Sequence, residues 1–384
     1  MVLGDLTPTA PRLRVLHLLS STGVHGAETM TIELVRQLAD LGVDVHLMAF
    51  DNGDGSAKEI VQEVGRQGIA AILNPCRGPL DRGAYWRLRD YVRQHRINVI
   101  HSHKYKTTFY AIAGRLMGRY RLVTTYHNWL CDSRSLRFYA WLDKSLAWVN
   151  DVAIAVSRPV AQELLQHMPA SKVRQLGNGI DLSRFDSTRS RAEARRMLGL
   201  PSDSNVIGFV GRLSAEKGLR YLLDALPLIE QAVPRLKVLI AGDGPEKRWL
   251  ADEIRARGLA ETVHLLGNRK DTPDIYAAMD VFVLPSILEA FPMVLLEAMA
   301  CQRPVVATDV GEVSRIVSDD HTGRIVPPGQ SQVLANALVD LLSHPEMLTE
   351  MGAAAQLHAR KNFSSRAVAD QYRRIYLEAL AATA

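Results

Sequence analysis

Glu289 and Glu297 stand eight residues apart in Pro285-Ser-Ile-Leu-Glu-Ala-Phe-Pro-Met-Val-Leu-Leu-Glu-Ala-Met. A carboxylate accepts hydrogen bonds from pairs of hydroxyls, so two of them suit a ligand with a sugar at one end and a ribose at the other. Pro292 suits the first turn of a helix, where a missing amide proton costs nothing. The amides of Phe291, Met293 and Val294 are then offered to whatever lies ahead of the helix, backed by its dipole. An amphipathic surface helix without chemical purpose carries the same pattern.

Arg212 and Lys217, in Val210-Gly-Arg-Leu-Ser-Ala-Glu-Lys-Gly, can converge on one anion, the first as a fork and the second as a point charge. A diphosphate fits such a pair, and ordinary surface cations look the same. In Ser20-Ser-Thr-Gly-Val-His-Gly-Ala-Glu-Thr, Gly23 and Gly26 permit a tight loop whose amides could hold a phosphate, or simply a turn. His25, within it, is left open. His127 ends the run Leu122-Val-Thr-Thr-Tyr-His, where it could orient or deprotonate a substrate hydroxyl or sit satisfied in the core. His101 and His103 read as structural.

Other chemistries lose support. There is no Gly-x-Gly-x-x-Gly and no Gly-Lys-Ser/Thr, which speaks against dinucleotide binding and P-loop phosphate transfer. No Asp-x-Asp pair occurs, and no His/Cys group has metal spacing, so neither a metal nor another cofactor is expected. A leaving diphosphate must then be met by Arg212, Lys217 and helix amides. Gly-x-Ser-x-Gly is absent as well.

These residues must be positioned by something, and the apolar pattern says what. Short β-branched runs alternate with helical stretches. The first six are Arg14-Val-Leu-His-Leu-Leu, Asp44-Val-His-Leu-Met-Ala-Phe, Ala70-Ala-Ile-Leu, Asn98-Val-Ile-His-Ser-His, Leu122-Val-Thr-Thr-Tyr-His and Asp151-Val-Ala-Ile-Ala-Val-Ser. Six more begin at Asn205, Lys237, Val263, Val281, Pro304 and Arg324. Near-continuous apolar strands are buried on both faces, so they belong to parallel sheets covered by helices, the doubly wound α/β class. Each chemically suggestive segment falls at a strand-to-helix junction, where open α/β sheets bind ligands.

The polar, turn-rich stretch from Gly177 to Ser190 separates the two sets. We therefore expect two facing Rossmann-like domains, 12–182 joined by 364–384, and 190–362. The chain closes with helices from Pro345 to about Asn362 and from Ser364 to about Ala381. At 384 residues, 47% hydrophobic and 23% charged, the chain is neither disordered nor coiled coil. Three scattered cysteines suit a reducing compartment. No secretory signal and no apolar run long enough to span a bilayer is seen, so a cytoplasmic location is expected, peripheral on the membrane's cytoplasmic face if a membrane is involved. The +5 net charge is unevenly placed: residues 77–148 hold 14 Lys or Arg against four acids, interleaved with Trp86, Trp129, Trp141 and Trp148. This segment suits an anionic membrane surface, although solvated helix faces share its composition, and no nucleic-acid-binding module is recognisable.

In order along the chain, six segments resemble glycosyltransferase family 4, retaining enzymes of the GT-B fold. Glu289…Glu297 is similar to its Glu-x₇-Glu signature, Gly23–Glu28 to its Gly-Gly-x-Glu loop, and Asn178-Gly-Ile-Asp181 to its Asn-Gly-Val-Asp. Gly211-Arg-Leu-x₃-Lys-Gly resembles its phosphate-binding strand end. Ala241-Gly-Asp-Gly-Pro and Thr322-Gly-Arg-Ile-Val-Pro-Pro-Gly match too. The resemblance implies a C-terminal helix crossing back to the N-terminal domain. It implies that Arg212 and Lys217 bind the donor diphosphate, Glu297 the ribose, and Glu289, Ala290 and the following amides the donor sugar. It also places Gly23 on the phosphate and His127 near donor sugar and acceptor. Two departures stand out: Ala290 replaces the usual Gly, and Val310-Gly-Glu-Val-Ser-Arg315 lacks a second Gly and the Pro-Glu pair, so no contact is carried over there. The implied reaction is transfer of a hexose from a UDP- or GDP-sugar to a hydroxyl of a lipid-linked or glycan acceptor, as in polysaccharide or lipopolysaccharide assembly. An epimerase of the same fold and a non-catalytic nucleotide-sugar or lipid binder are the alternatives.

Overall fold

The computed structural model describes residues 12–20, 26–53, 55–78, 81–103, 105–115, 118–127, 141–177, 179–185 and 189–382. The chain divides into two compact units, Met1–Gly179 with Ser365–Ala384, and Ile180–Ser364.

The first unit is built on seven strands: β1 (Arg14–Ser20), β2 (Asp44–Asp51), β3 (Ala70–Pro75), β4 (Val99–Ser102), β5 (Arg121–Tyr126), β6 (Val152–Ala155) and β7 (Val173–Gln175). Their order is β3-β2-β1-β4-β5-β6-β7, and every pairing is parallel. The sequence pattern shows six of them. β7 is a three-residue edge strand, Val-Arg-Gln, too short and too exposed to leave an apolar run.

Strand alternation decides what each face receives. Val15 and Leu19 pack on one face of β1, Leu16 and Leu18 on the other. His17 therefore lies on the Val15 side, and the register sets it beside His101 of β4. Helix Gly26–Asp40 and the last helix, Ser365–Ala381, cover this face, the latter through Val368, Tyr372 and Tyr376. Helices Arg82–Gln94 and Tyr105–Arg115 cover the other.

The second unit has six strands: β8 (Asn205–Val210), β9 (Leu236–Ala241), β10 (Val263–Gly267), β11 (Val281–Leu284), β12 (Val305–Thr308) and β13 (Gly323–Val326). The order is β10-β9-β8-β11-β12-β13, again parallel throughout. β11 and β12 are buried along their whole length, as the double helical cover requires. Ile180, Leu182 and Phe185 belong to this unit's core, which is why the division falls at Gly179–Ile180 rather than after residue 182. The chain returns through Ser364: Ile180 bridges Ser364, and its N–H donates to the Phe363 carbonyl at 2.9 Å.

Strand order reverses between β1 and β4 in one unit and between β8 and β11 in the other. In open α/β sheets the loops at such a reversal diverge and leave room for a ligand at the strands' carboxyl ends.

Candidate functional site

In the second unit, β8 runs into the Gly211–Gly218 turn and β11 into the Pro285–Pro292 loop, so strand neighbours far apart in sequence deliver both segments to one edge. Two constraints lock the turn. The Leu213 N–H donates to the Asp243 carbonyl and the Glu246 N–H to the Leu213 carbonyl, both at 2.9 Å, so the Ala241-Gly-Asp-Gly-Pro motif steers the stretch carrying Arg212. Gly218 then turns with φ +63°, and a Cβ there would stand 2.1 Å from the Pro285 carbonyl oxygen. Only glycine permits both the left-handed turn and that approach.

The consequence is a direct contact across 72 residues: Lys217 Nζ lies 2.7 Å from Glu289 Oε1. Ser286 Oγ donates to the same oxygen at 2.7 Å. The pair is largely shielded, with 20% of the lysine side chain and 7% of the glutamate side chain exposed. Arg212 stands exposed nearby and forms no ion pair with the described residues. With the Ser214 hydroxyl as the main cause, and Arg212 and Lys217 contributing, the Glu216 carboxyl is held below its ordinary range. The Glu216 carbonyl accepts the Ile287 N–H at 2.8 Å, which ties turn to loop.

A third segment braces Glu289 from behind. The Thr308 hydroxyl donates to the Ser286 carbonyl, and the Glu312 N–H to the Ala290 carbonyl at 3.0 Å. Gly311, at φ +58°, would place a Cβ 2.2 Å from the Glu289 carbonyl oxygen. Val310–Arg315, to which the sequence assigns no contact, is thus the buttress of the loop.

Helix Met293–Ala300 follows, with Pro292 as its N-cap. The amides of Met293 and Val294 fall in its first turn, where no intrahelical acceptor exists. The Phe291 ring turns inward to the core and stands 6.2 Å from the Phe363 ring, leaving its backbone to the loop. Ala290 is exposed. Glu297, two turns along, accepts from the Tyr276 hydroxyl at 2.9 Å. Burial raises its pKa, while Tyr276 and Arg184 act to lower it.

The family model described as "Glycosyltransferase Family 4" matches residues 24–184, and the one described as "Glycosyl transferases group 1" matches 190–358. The chain belongs to glycosyltransferase family 4. It is 29% identical over 365 residues to a phosphatidyl-myo-inositol mannosyltransferase of Mycobacterium leprae, covering 91% of this chain and 92% of that one. It is 28% identical to a D-inositol 3-phosphate glycosyltransferase of Thermobispora bispora across 92% of this chain and 90% of the other. An α-D-kanosaminyltransferase of Streptomyces kanamyceticus is 36% identical over 216 residues, 55% of each. Among solved structures, HepE of Anabaena in complex with UDP superposes with a TM-score of 0.73 over 94% of this chain and 99% of that one at 24% identity. A glycosyltransferase of Rickettsia africae gives 0.75 over 96% and 99% at 20%. The two α/β units are those of the GT-B fold, and this family 4 enzyme is a nucleotide-sugar-dependent glycosyltransferase.

Within this family 4 chain the structure gathers Lys217, Glu289, Ala290, Phe291, Met293, Val294 and Glu297, with Arg212 beside them, in the second unit. Gly23 and His25 lie outside the described residues, as do Asn178 and Trp129. His127 belongs to the first unit, just past β5, half-buried, its ring stacked 6.3 Å from that of His103. Sequence reasoning missed Ser286, Tyr276 and Gly311. Ser286 leaves a signal, since a hydroxyl three residues before a loop carboxylate can bond back to it; the other two leave none.

One arrangement could not be seen in local spacing. His17, His101 and His103 bring ligand-type atoms within 4.8 Å of one another, all buried. His17 Nδ1 pairs with His103 Nε2 at 3.0 Å. His101 has both nitrogens occupied, by the Tyr376 hydroxyl at 2.6 Å and the Thr125 hydroxyl at 2.8 Å, so it would have to surrender one to ligate a metal. Its role is to pin β4 to the last helix.

Proposed function

We propose that this glycosyltransferase moves a hexose from a UDP- or GDP-sugar to an acceptor hydroxyl with retained anomeric configuration and without a divalent cation. The observation that carries the reading is the convergence of Lys217, Glu289 and the start of helix Met293–Ala300 at the β8/β11 reversal. Lys217, Arg212 and the first-turn amides meet the charge that grows on the departing diphosphate. Glu289 holds sugar hydroxyls and Glu297 the ribose. Glu289 already accepts two hydrogen bonds on Oε1, a use that favours hydrogen bonding to the sugar over nucleophilic attack on it. Attack therefore comes from the acceptor on the face that the diphosphate leaves. The acceptor oxygen bonds to the anomeric carbon as the carbon–oxygen bond to phosphate breaks, and the hydroxyl proton passes to the departing phosphate oxygen. Uridine donors come first because HepE is solved with UDP. A lipid-linked acceptor is suggested by the mannosyltransferase named for phosphatidyl-myo-inositol.

Release of nucleoside diphosphate from UDP-, GDP- and ADP-sugars, with and without polyprenyl-phosphate-linked and free glycan acceptors, tests this. Release that depends on acceptor, with product retaining the donor's anomeric coupling in NMR, is expected. An inverted product removes the retaining mechanism, and turnover abolished by EDTA and restored by Mg²⁺ removes the metal-independent one.

We also propose that the enzyme docks on the cytoplasmic face of an anionic membrane through its basic aromatic segment. Trp86, Trp141 and Trp148 are all exposed there, with the Arg89 guanidinium 4.2 Å from the Trp86 ring centre. No helix among the described residues is long and apolar enough to cross a membrane. Cosedimentation with phosphatidylglycerol vesicles at low salt, lost at high salt, is expected; absence of binding at low salt discards the docking.

A further inference from the structure

The two donor-site carboxylates differ in how they are held. Glu289 is fixed by a cation and a serine, whereas Glu297 has Tyr276. Tyr276 is completely buried on helix Thr272–Ala278, its ring edge-on to Phe185 at 6.2 Å and tilted against Phe282 at 5.7 Å. Those rings leave it a single attitude, and in that attitude the hydroxyl meets Glu297 Oε2 at 2.9 Å. Oε1 takes no hydrogen bond from the described residues. A glutamate side chain with a free terminal torsion would offer either oxygen in a range of directions; this one offers one.

We infer that Tyr276 is the positioning residue for Glu297, tying down Oε2 so that Oε1 is presented to the ribose of the nucleotide. The inference rests on the donor-site reading above. The hydroxyl also stabilises the charged form of a carboxylate that burial disfavours, so it keeps Glu297 ionised and able to accept ribose hydroxyls. The other groups facing Glu297 are Arg184, which acts in the same direction, and Cys301 on its own helix, whose thiol is pushed by burial up to about 12 and stays neutral. Tyr276 itself is raised well above its ordinary value and remains a donor throughout.

The test is Tyr276→Phe, which removes the hydroxyl and keeps the ring, beside Phe282→Leu, which loosens the ring's bed and keeps the hydroxyl. UDP, GDP and ADP are titrated calorimetrically between about pH 4.5 and pH 8, and KM for the sugar donor is measured alongside. Expected for Tyr276→Phe are an affinity about tenfold weaker for the nucleotide the wild type prefers and a rise in KM larger than the fall in kcat. The pH below which binding fails should also move upward. The nucleotide's own phosphate titration is common to both proteins and does not produce that difference. Phe282→Leu, which keeps the hydroxyl, should lower Tm and move the pH midpoint by much less than Tyr276→Phe does. Unchanged affinity and midpoint in a folded Tyr276→Phe protein overturn the inference, as does a midpoint that shifts equally in Phe282→Leu. If the wild type binds none of the three nucleotides, the donor-site reading itself falls and takes this one with it.

Discussion

The β1/β4 and β8/β11 reversals share one topology and hold opposite chemistry. At β1/β4 the interior side is filled by buried imidazoles: His17 pairs with His103, and His101 with Tyr376 and Thr125, while His17 Nε2 has no hydrogen-bond partner among the described residues. At β8/β11 the corresponding end is lined by opposed charges, glycines that admit close backbone approach, and a helix start. Covering explains the difference. The last helix lies across the His17 face of the first sheet and seals it, and a sealed interior tolerates imidazoles only when uncharged. The β8/β11 edge is left to loops, and loops can carry charge into contact with a ligand. Among the described residues, the sealed face of β1 and β4 thus holds imidazoles kept uncharged by burial, and the strand ends of β8 and β11 hold opposed charges.

The sharpest way to break this contrast is Lys217→Ala. If the β8/β11 edge holds the leaving diphosphate, kcat should fall by ~10²–10³ while circular dichroism stays native; near-normal turnover would sink the assignment. Next comes Gly218→Ala, which meets the Pro285 carbonyl and an unfavourable φ together. About 2 kcal/mol of strain is expected, which lowers Tm by about 4–8 °C in a unit of this size. An unshifted Tm in differential scanning fluorimetry would show that the turn yields freely. Ser286→Ala removes one of the two bonds on Glu289 Oε1 and should raise donor KM about tenfold, read from initial rates over a donor series.

The last comparison is the one that separates the two units. Burial lowers the pKa of His17 to about 3, and that of His101 well below its usual value, with burial again the main cause. Between pH 6.5 and that range the unfolded chain binds a proton that the folded imidazole refuses. Stability therefore falls as pH falls, by about 1.4 kcal/mol per pH unit for each such histidine. In the second unit His264 and His358 are also lowered but only partly buried. Hydrogen exchange at pH 5 should show peptides of β1 and β4 losing protection before those of β8 and β11. The reverse order would mean the imidazoles are not what limits the first unit.

The strand list, the parallel class and the Glu289–Glu297 and Arg212–Lys217 segments were legible because each is written locally. Apolar runs mark doubly covered strands, and the loop motifs sit within a few residues of them. β7 was not legible because an edge strand of three residues buries too little to leave a pattern. The bond from Lys217 to Glu289, the brace formed by Thr308, Gly311 and Glu312, and the hydroxyl of Tyr276 against Glu297 are not written locally either. Each joins residues whose separation in sequence carries no hint of contact.

By itself, then, the sequence determined two parallel α/β halves and the residue types waiting at their strand ends, since both follow from short-range periodicity and turn chemistry. The tertiary structure alone decided which strand ends become neighbours. Strand order depends on how whole sheets bury their faces, and it was that order that paired Lys217 with Glu289 and closed His17 and His101 beneath the last helix.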